Sequence, residues 1–153
     1  PLSRLWLMPE RPPINPYVLQ AILQADVIVI GPGSLYTSII PNFLVDGISD
    51  ALKKSSAPKV LVCNVATQPG ETDGFGVSEH WGEFESHSEI AVTHLLVNSN
   101  VINLPESATA LPVVPERPPG FEGKLIMADL IDSDLKTRHD SGKLANAILD
   151  LAD

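Results

Sequence analysis

Two short runs without a polar interruption, Val27-Ile28-Val29-Ile30 and Val60-Leu61-Val62-Cys63, set the pattern of the chain. A strand with one wet face alternates apolar and polar residues. Unbroken runs predict strands buried on both faces, as in a parallel α/β sheet. Between them the period lengthens to that of a helix. Asn15-Pro16 supplies an N-cap and a first-turn proline, and Val18, Leu19, Ile22 and Leu23 follow at helical spacing, facing the sheet. Asp46 is the expected cap of the next helix, with Ile48, Ala51 and Leu52 inward, Lys53-Lys54 at its C-terminal end and Pro58 as its stop.

The flanks follow the same alternation. Leu2 to Met8 reads as an opening strand, followed by a proline-rich bend from Pro9 to Pro13. Val77 to about Ile90 predicts an acidic helix, and His94 to Val97 a strand. Residues 100–123 read as irregular, with a short strand at Leu111–Val114. Lys124 to Ala128 predicts the last strand, and Asp140 or Ser141 caps a terminal helix bearing Leu144, Ile148 and Leu151. Strands alternating with helices predict a three-layer, Rossmann-like α/β fold with a mostly parallel sheet, one domain over residues 1–153.

Each buried run ends in a loop rich in glycine, hydroxyls and backbone N–H groups. Ligands of such folds sit outside the carboxyl ends of the strands, where both loops lie. In the first loop, Gly31 and Gly33 permit positive φ and close approach, while Pro32 stiffens the turn. Ser34, Leu35, Thr37 and Ser38 stand where a helix begins, so their N–H groups and the three hydroxyls are expected to converge on one oxyanion. An ordinary strand-to-helix turn with a serine cap explains the same residues, because the loop is neither a Walker P-loop nor GxGxxG. The second loop is longer than a strand–helix connection needs, which favours function. Asn64, Thr67, Gln68, Gly70 and Thr72 offer neutral contacts to a base or ribose, and Glu71 offers a carboxylate. With no nucleophile identifiable beside it in sequence, Glu71 reads as a contact and not as a general base.

Composition narrows the partner. Nineteen acidic against ten basic side chains give a formal charge of -9, which argues against nucleic acid. A phosphorylated small molecule remains compatible, because backbone amides bind phosphate without side-chain charge. Cys63 is the single cysteine and ends a strand, so it reads as a buried, inert hydrophobe in a reducing compartment. With no charged-then-apolar leader and no long apolar run, the expected location is the cytoplasm. His80, His87 and His94 recur every seven residues but read as stray histidines of a solvated acidic helix. Asp132, Asp134 and His139-Asp140 read as a charged turn and a helix cap; no metal ligands are assigned.

Together, ADVIVIGPGSLYTSIIPNFLV (25–45), APKVLVCNVATQPGETDGF (57–75) and the closing RHDSGKLANAIL (138–149) resemble the gluconeogenesis factor family of YvcK type. That family shares a superfamily with the CofD-like 2-phospho-L-lactate transferases. The resemblance implies a cytosolic regulatory protein that binds a nucleotide-sugar such as UDP-N-acetylglucosamine, performs no chemistry, and influences carbon flow to the cell envelope and cell shape. The sister class implies the alternative: transfer of a phospholactyl group from a GDP-activated donor to a deazaflavin, with Mg²⁺. Two features depart from the family pattern. Its opening GGGTG-type loop has no counterpart here, so the likeness covers roughly the C-terminal half of a member. The acidic stretch Glu79–Glu89 replaces a more basic helix. A sheet without its other half predicts self-association, or pairing with an N-terminal half.

Overall fold

A computed structural model describes residues 5–101, 103–105 and 107–151. Its centre is a four-stranded parallel sheet in sequential order: β1 (Ile28–Ile30), β2 (Lys59–Val62), β3 (His94–Asn98) and β4 (Lys124–Ala128). Val29 stands beside Val60, Leu61 beside Leu95, and Leu95 beside Leu125. Every residue of β2 is buried, as its uninterrupted pattern requires. Lys59 buries its stem while Nζ donates to the carbonyls of Ser55 and Ala57 at 2.9 and 3.2 Å.

Alternation along the strands builds two cores. Ile30, Leu61, Cys63, Leu95 and Val97 face one side, under α1 (Pro16–Gln24), α2 (Ile40–Phe43), α3 (Ile48–Lys54) and α4 (Val77–Ser88). Val60, Val62 and Leu96 face the other, under α5 (Ser141–Leu149) through Leu144, Ala147 and Ile148. The three layers and the parallel sheet are those the pattern predicts.

The first helix starts as expected, Asn15 Oδ1 accepting the Tyr17 N–H at 2.9 Å. Only Leu19 and Ile22 of its four apolar residues turn inward; Val18 and Leu23 are exposed. The α4 helix buries Val77, His80, Phe84 and Ser88 on one face, with Phe84 edge-on to Phe43 at 5.0 Å between ring centres. His80 is therefore a core residue, not a solvated one: its Nδ1 lies 2.7 Å from the Gly76 carbonyl.

Three expectations change. Asp46 does not cap α3: Gly47, at φ +95°, takes that position, and Asp46 instead accepts from Arg11 Nε at 3.0 Å. The strand expected at Leu2–Met8 falls partly on residues 2–4, outside the described residues, and residues 5–8 form no strand. Leu111–Val114 reduces to a single bridge between Ala66 and Pro112.

Candidate functional site

An open cleft of about 660 Å³ lies at the carboxyl edge of the sheet. Three segments wall it: Pro32, Gly33 and Ser34 after β1, Asn64 to Pro69 after β2, and Thr137, Arg138 and His139 before α5, with Ala110 at the rim. This is the crevice that parallel sheets reserve for ligands, and its volume suits a small organic molecule.

The first loop leaves β1 through Gly31, whose φ of +84° and 3.2 Å spacing from an added Cβ to the Val62 carbonyl exclude larger residues. Gly33 is different. Its φ is not left-handed, and an added Cβ would meet only Ser38 Cβ at 3.6 Å and Ile39 Cγ1 at 4.0 Å. The chain then enters a π-helical turn, Leu35–Ile39, that runs on into α2. Ser34 caps it, its Oγ accepting the Thr37 N–H at 3.1 Å.

Of the three hydroxyls only those of Ser34 and Thr37 meet. Ser34 Oγ is engaged with Thr37 and Glu71. Ser38 is exposed and lines a separate groove with Ile28, Ile39 and Phe43. Leu35 turns into the core.

In the second loop Asn64 joins the walls, its Nδ2 donating to the Gly33 carbonyl at 3.0 Å and its Oδ1 accepting the Gly33 N–H at 3.4 Å. Thr67 is buried, its Oγ1 accepting the Leu111 N–H at 2.9 Å. Thr72 is fully buried, its Oγ1 accepting the Gln68 backbone N–H at 2.8 Å. Gly70 makes the exposed bend at φ +80°, its N–H donating to Asp73 at 2.7 Å. Of the residues expected from sequence, Gly33, Ser34, Asn64, Thr67 and Gln68 line the cleft. Gly31, Leu35, Thr37, Ser38, Gly70, Glu71 and Thr72 do not; they shape or brace its walls.

Thr137 and Arg138 were not singled out from the sequence as cleft residues, and His139 reads there only as part of a charged turn before a helix cap. A bridge between Ile131 and His139 holds their segment, with the Asp132 N–H donating to the Arg138 carbonyl at 3.0 Å. Asp132 fixes the turn inside it, accepting the N–H groups of Leu135 and Asp134; those bonds, that of Leu135 foremost, lower its pKa. Asp140 caps α5 as expected, accepting the Lys143 N–H at 2.8 Å. His139 donates from Nε2 to the Cys63 carbonyl at 3.2 Å, leaving Nδ1 as its acceptor. Burial lowers the pKa of His139, against the opposing pull of that carbonyl. Arg138 is the one arginine or lysine among the described lining residues, and it is exposed. Cys63, just after β2, is buried as expected, and that burial pushes its thiol up to about 12.

The described residues contain no group of three or more His, Cys, Asp or Glu able to hold a metal ion, so they offer no side-chain cage for a divalent cation. No described helix is long and apolar enough to cross a membrane.

A parallel sheet with helices on both faces and an open cleft at its carboxyl edge defines a Rossmann-like α/β protein. The chain belongs to the family described as 2-phospho-L-lactate transferase CofD, whose model matches residues 1–115. It is 40% identical over 158 residues to the gluconeogenesis factor of Halalkalibacterium halodurans, covering 97% of this chain and 49% of that protein. It is 37% identical over 160 residues to the gluconeogenesis factor of Bacillus subtilis, covering 98% and 50% respectively. A crystal structure of a Bacillus halodurans protein superposes with a TM-score of 0.87 at 39% identity, over 97% of this chain and 50% of that one. The chain spans about half the length of the curated relatives it matches.

Proposed function

We propose that the cleft binds a nucleotide-sugar of the UDP-N-acetylglucosamine kind, and that the chain is part of a cytoplasmic regulatory protein that senses this ligand without transforming it. The observation that supports this most is the composition of the cleft wall. Gln68 and Thr137 are neutral polar residues suited to a base, ribose or sugar, on a wall that Asn64 and Thr67 hold through their bonds to Gly33 and Leu111. Arg138 adds a single cation suited to a diphosphate. The relatives' name, gluconeogenesis factor, favours the regulatory role, with control of carbon flow to the envelope and of cell shape as the proposed outcome.

The test is thermal unfolding and calorimetric titration with UDP-N-acetylglucosamine, UDP, GDP, NAD and deazaflavins, on this chain and on a full-length relative. A ligand at 100 times its Kd should stabilise the fold by about 2.7 kcal/mol. Stabilisation by UDP-N-acetylglucosamine in preference to GDP is the expected result. No response to any of these ligands from either protein would defeat the reading.

The name of the matching family supports a second reading, phospholactyl transfer from a GDP-activated donor to a deazaflavin. The structure also brings Ser34 to 2.6 Å from Glu71, the pairing of hydroxyl and carboxylate that an activated nucleophile uses. Ser34 is at the same time a helix cap engaged with Thr37, which favours a bracing role. Detection of deazaflavin phospholactylation by the full-length protein would select this reading over the first.

A further inference from the structure

The two loops are tied together at one end of the cleft. Ser34 Oγ donates to Glu71, whose oxygens lie 2.6 and 2.8 Å away. It accepts the Thr37 N–H at 3.1 Å and is in contact with the Thr37 hydroxyl. A serine hydroxyl has one proton and two lone pairs. Its proton is directed to Glu71, so Thr37 is the donor in the hydroxyl–hydroxyl contact. Ser34 is then fully engaged, with nothing left for a ligand.

The surroundings reinforce the charge. Tyr36, two residues on, is buried beneath this corner. Its phenol is raised to about 12, first by burial, then by the neighbouring Glu83 carboxylate and more weakly by Glu71. A phosphate brought to Ser34 would enter this acidic field and compete with Glu71 for the same proton.

We propose that Glu71 is a specificity-determining residue: it acts as an internal anion seated on Ser34, bars phosphate from the Ser34–Thr37 end, and confines a ligand's anionic group to the Arg138 end. This rests on the reading of the cleft as a nucleotide-sugar site. It also gives the second loop a reason for its length, since the loop must carry Glu71 across to the first.

Glu71→Gln keeps the shape and an oxygen that can accept from Ser34, but removes the charge. Inorganic pyrophosphate is titrated calorimetrically into wild type, Glu71→Gln, Glu71→Ala and Glu71→Asp at fixed low salt, with melting temperature as the fold control. Pyrophosphate should bind Glu71→Gln and Glu71→Ala about tenfold more tightly than wild type, while Glu71→Asp stays near wild type. Raising the salt should shrink the gap. Equal or weaker binding by both neutral variants, or no binding by either, overturns the proposal. The two readings fail separately. If pyrophosphate gains affinity in the neutral variants but UDP-N-acetylglucosamine binds no form, the nucleotide-sugar reading falls and the exclusion of anions stands. If the nucleotide-sugar binds and pyrophosphate gains nothing, the exclusion alone falls.

Discussion

The two ends of the cleft are both walled by polar residues and are left in opposite states. At the Ser34 end, hydroxyls, backbone N–H groups and a carboxylate satisfy one another, Ser34 binding both Thr37 and Glu71. At the Arg138 end the backbone is held by the Ile131–His139 bridge and the Asp140 cap, but Arg138 is exposed and lines the open cleft. A glycine- and hydroxyl-rich loop is therefore no sufficient sign of a phosphate cradle. What matters is whether its donors remain free after the protein has satisfied its own groups.

The sharpest way to break this comparison is Arg138→Ala. Arg138 is exposed, so folding should be little affected. Loss of a charge-assisted contact should weaken nucleotide-sugar binding by about ten- to a hundredfold. Calorimetry on the variant checks it, and unchanged affinity would place the anionic group elsewhere.

A smaller, mixed effect is expected from Asn64→Ala. Asn64 is the cross-brace between the loops, bonded to both the N–H and the carbonyl of Gly33. Leaving those half-buried backbone groups unpaired should cost about 1–3 kcal/mol of stability. The cleft would lose its width at the same time. Denaturant unfolding and nucleotide-sugar titration should therefore move together for Asn64, whereas for Arg138 only the titration moves.

What could be read from the sequence divides along the same line. The strands at 27–30 and 60–63, the Asn15 and Asp140 caps and the layer order follow from local pattern, and the structure reproduces them; of the two runs only that at 60–63 is buried on both faces, since Val29 of β1 is exposed. The position of both loops at the carboxyl edge follows from strand direction. The roles of individual side chains do not. Ser34 and Glu71 lie thirty-seven positions apart, and nothing local announces that they bond. Arg138 stands in a segment that reads as a charged turn before a cap. Only the bridge from Ile131 to His139 turns it toward the second loop. Asp46 stands one residue before the cap position, which Gly47 takes, and its bond to Arg11, thirty-five residues earlier, is invisible to local pattern.

Acidity should weaken the Arg138 end through its neighbour. His139 has its pKa lowered by burial from the ordinary 6.5, and so does His80 under the first loop. A depressed histidine binds a proton more readily in the unfolded chain. Its contribution to stability is thus complete above about pH 6.5 and is lost as pH falls through the lower folded value. Melting temperature should drop between neutral and mildly acidic pH. His139→Gln, which can still donate to the Cys63 carbonyl, should flatten part of that drop. An identical pH profile for variant and wild type would remove His139 from the account.

The smallest effect is expected at Gly33, and it separates a glycine needed for conformation from one that is not. At Gly31 the left-handed backbone and the Val62 carbonyl both oppose a side chain, so Gly31→Val should destabilise by about 1–2 kcal/mol or more. At Gly33 neither obstacle exists: φ is not left-handed, and an added Cβ lies at ordinary contact distance from Ser38 and Ile39. Those contacts belong to the first loop's own helical turn, so the new side chain would grow toward that turn. Gly33→Val should therefore change stability by less than about 1 kcal/mol and nucleotide-sugar affinity by no more than about threefold. A loss as large as that of Arg138→Ala would mean that the ligand's phosphate sits against the Gly33 backbone after all. The Ser34 end would then hold the anion that Glu71 is argued to exclude.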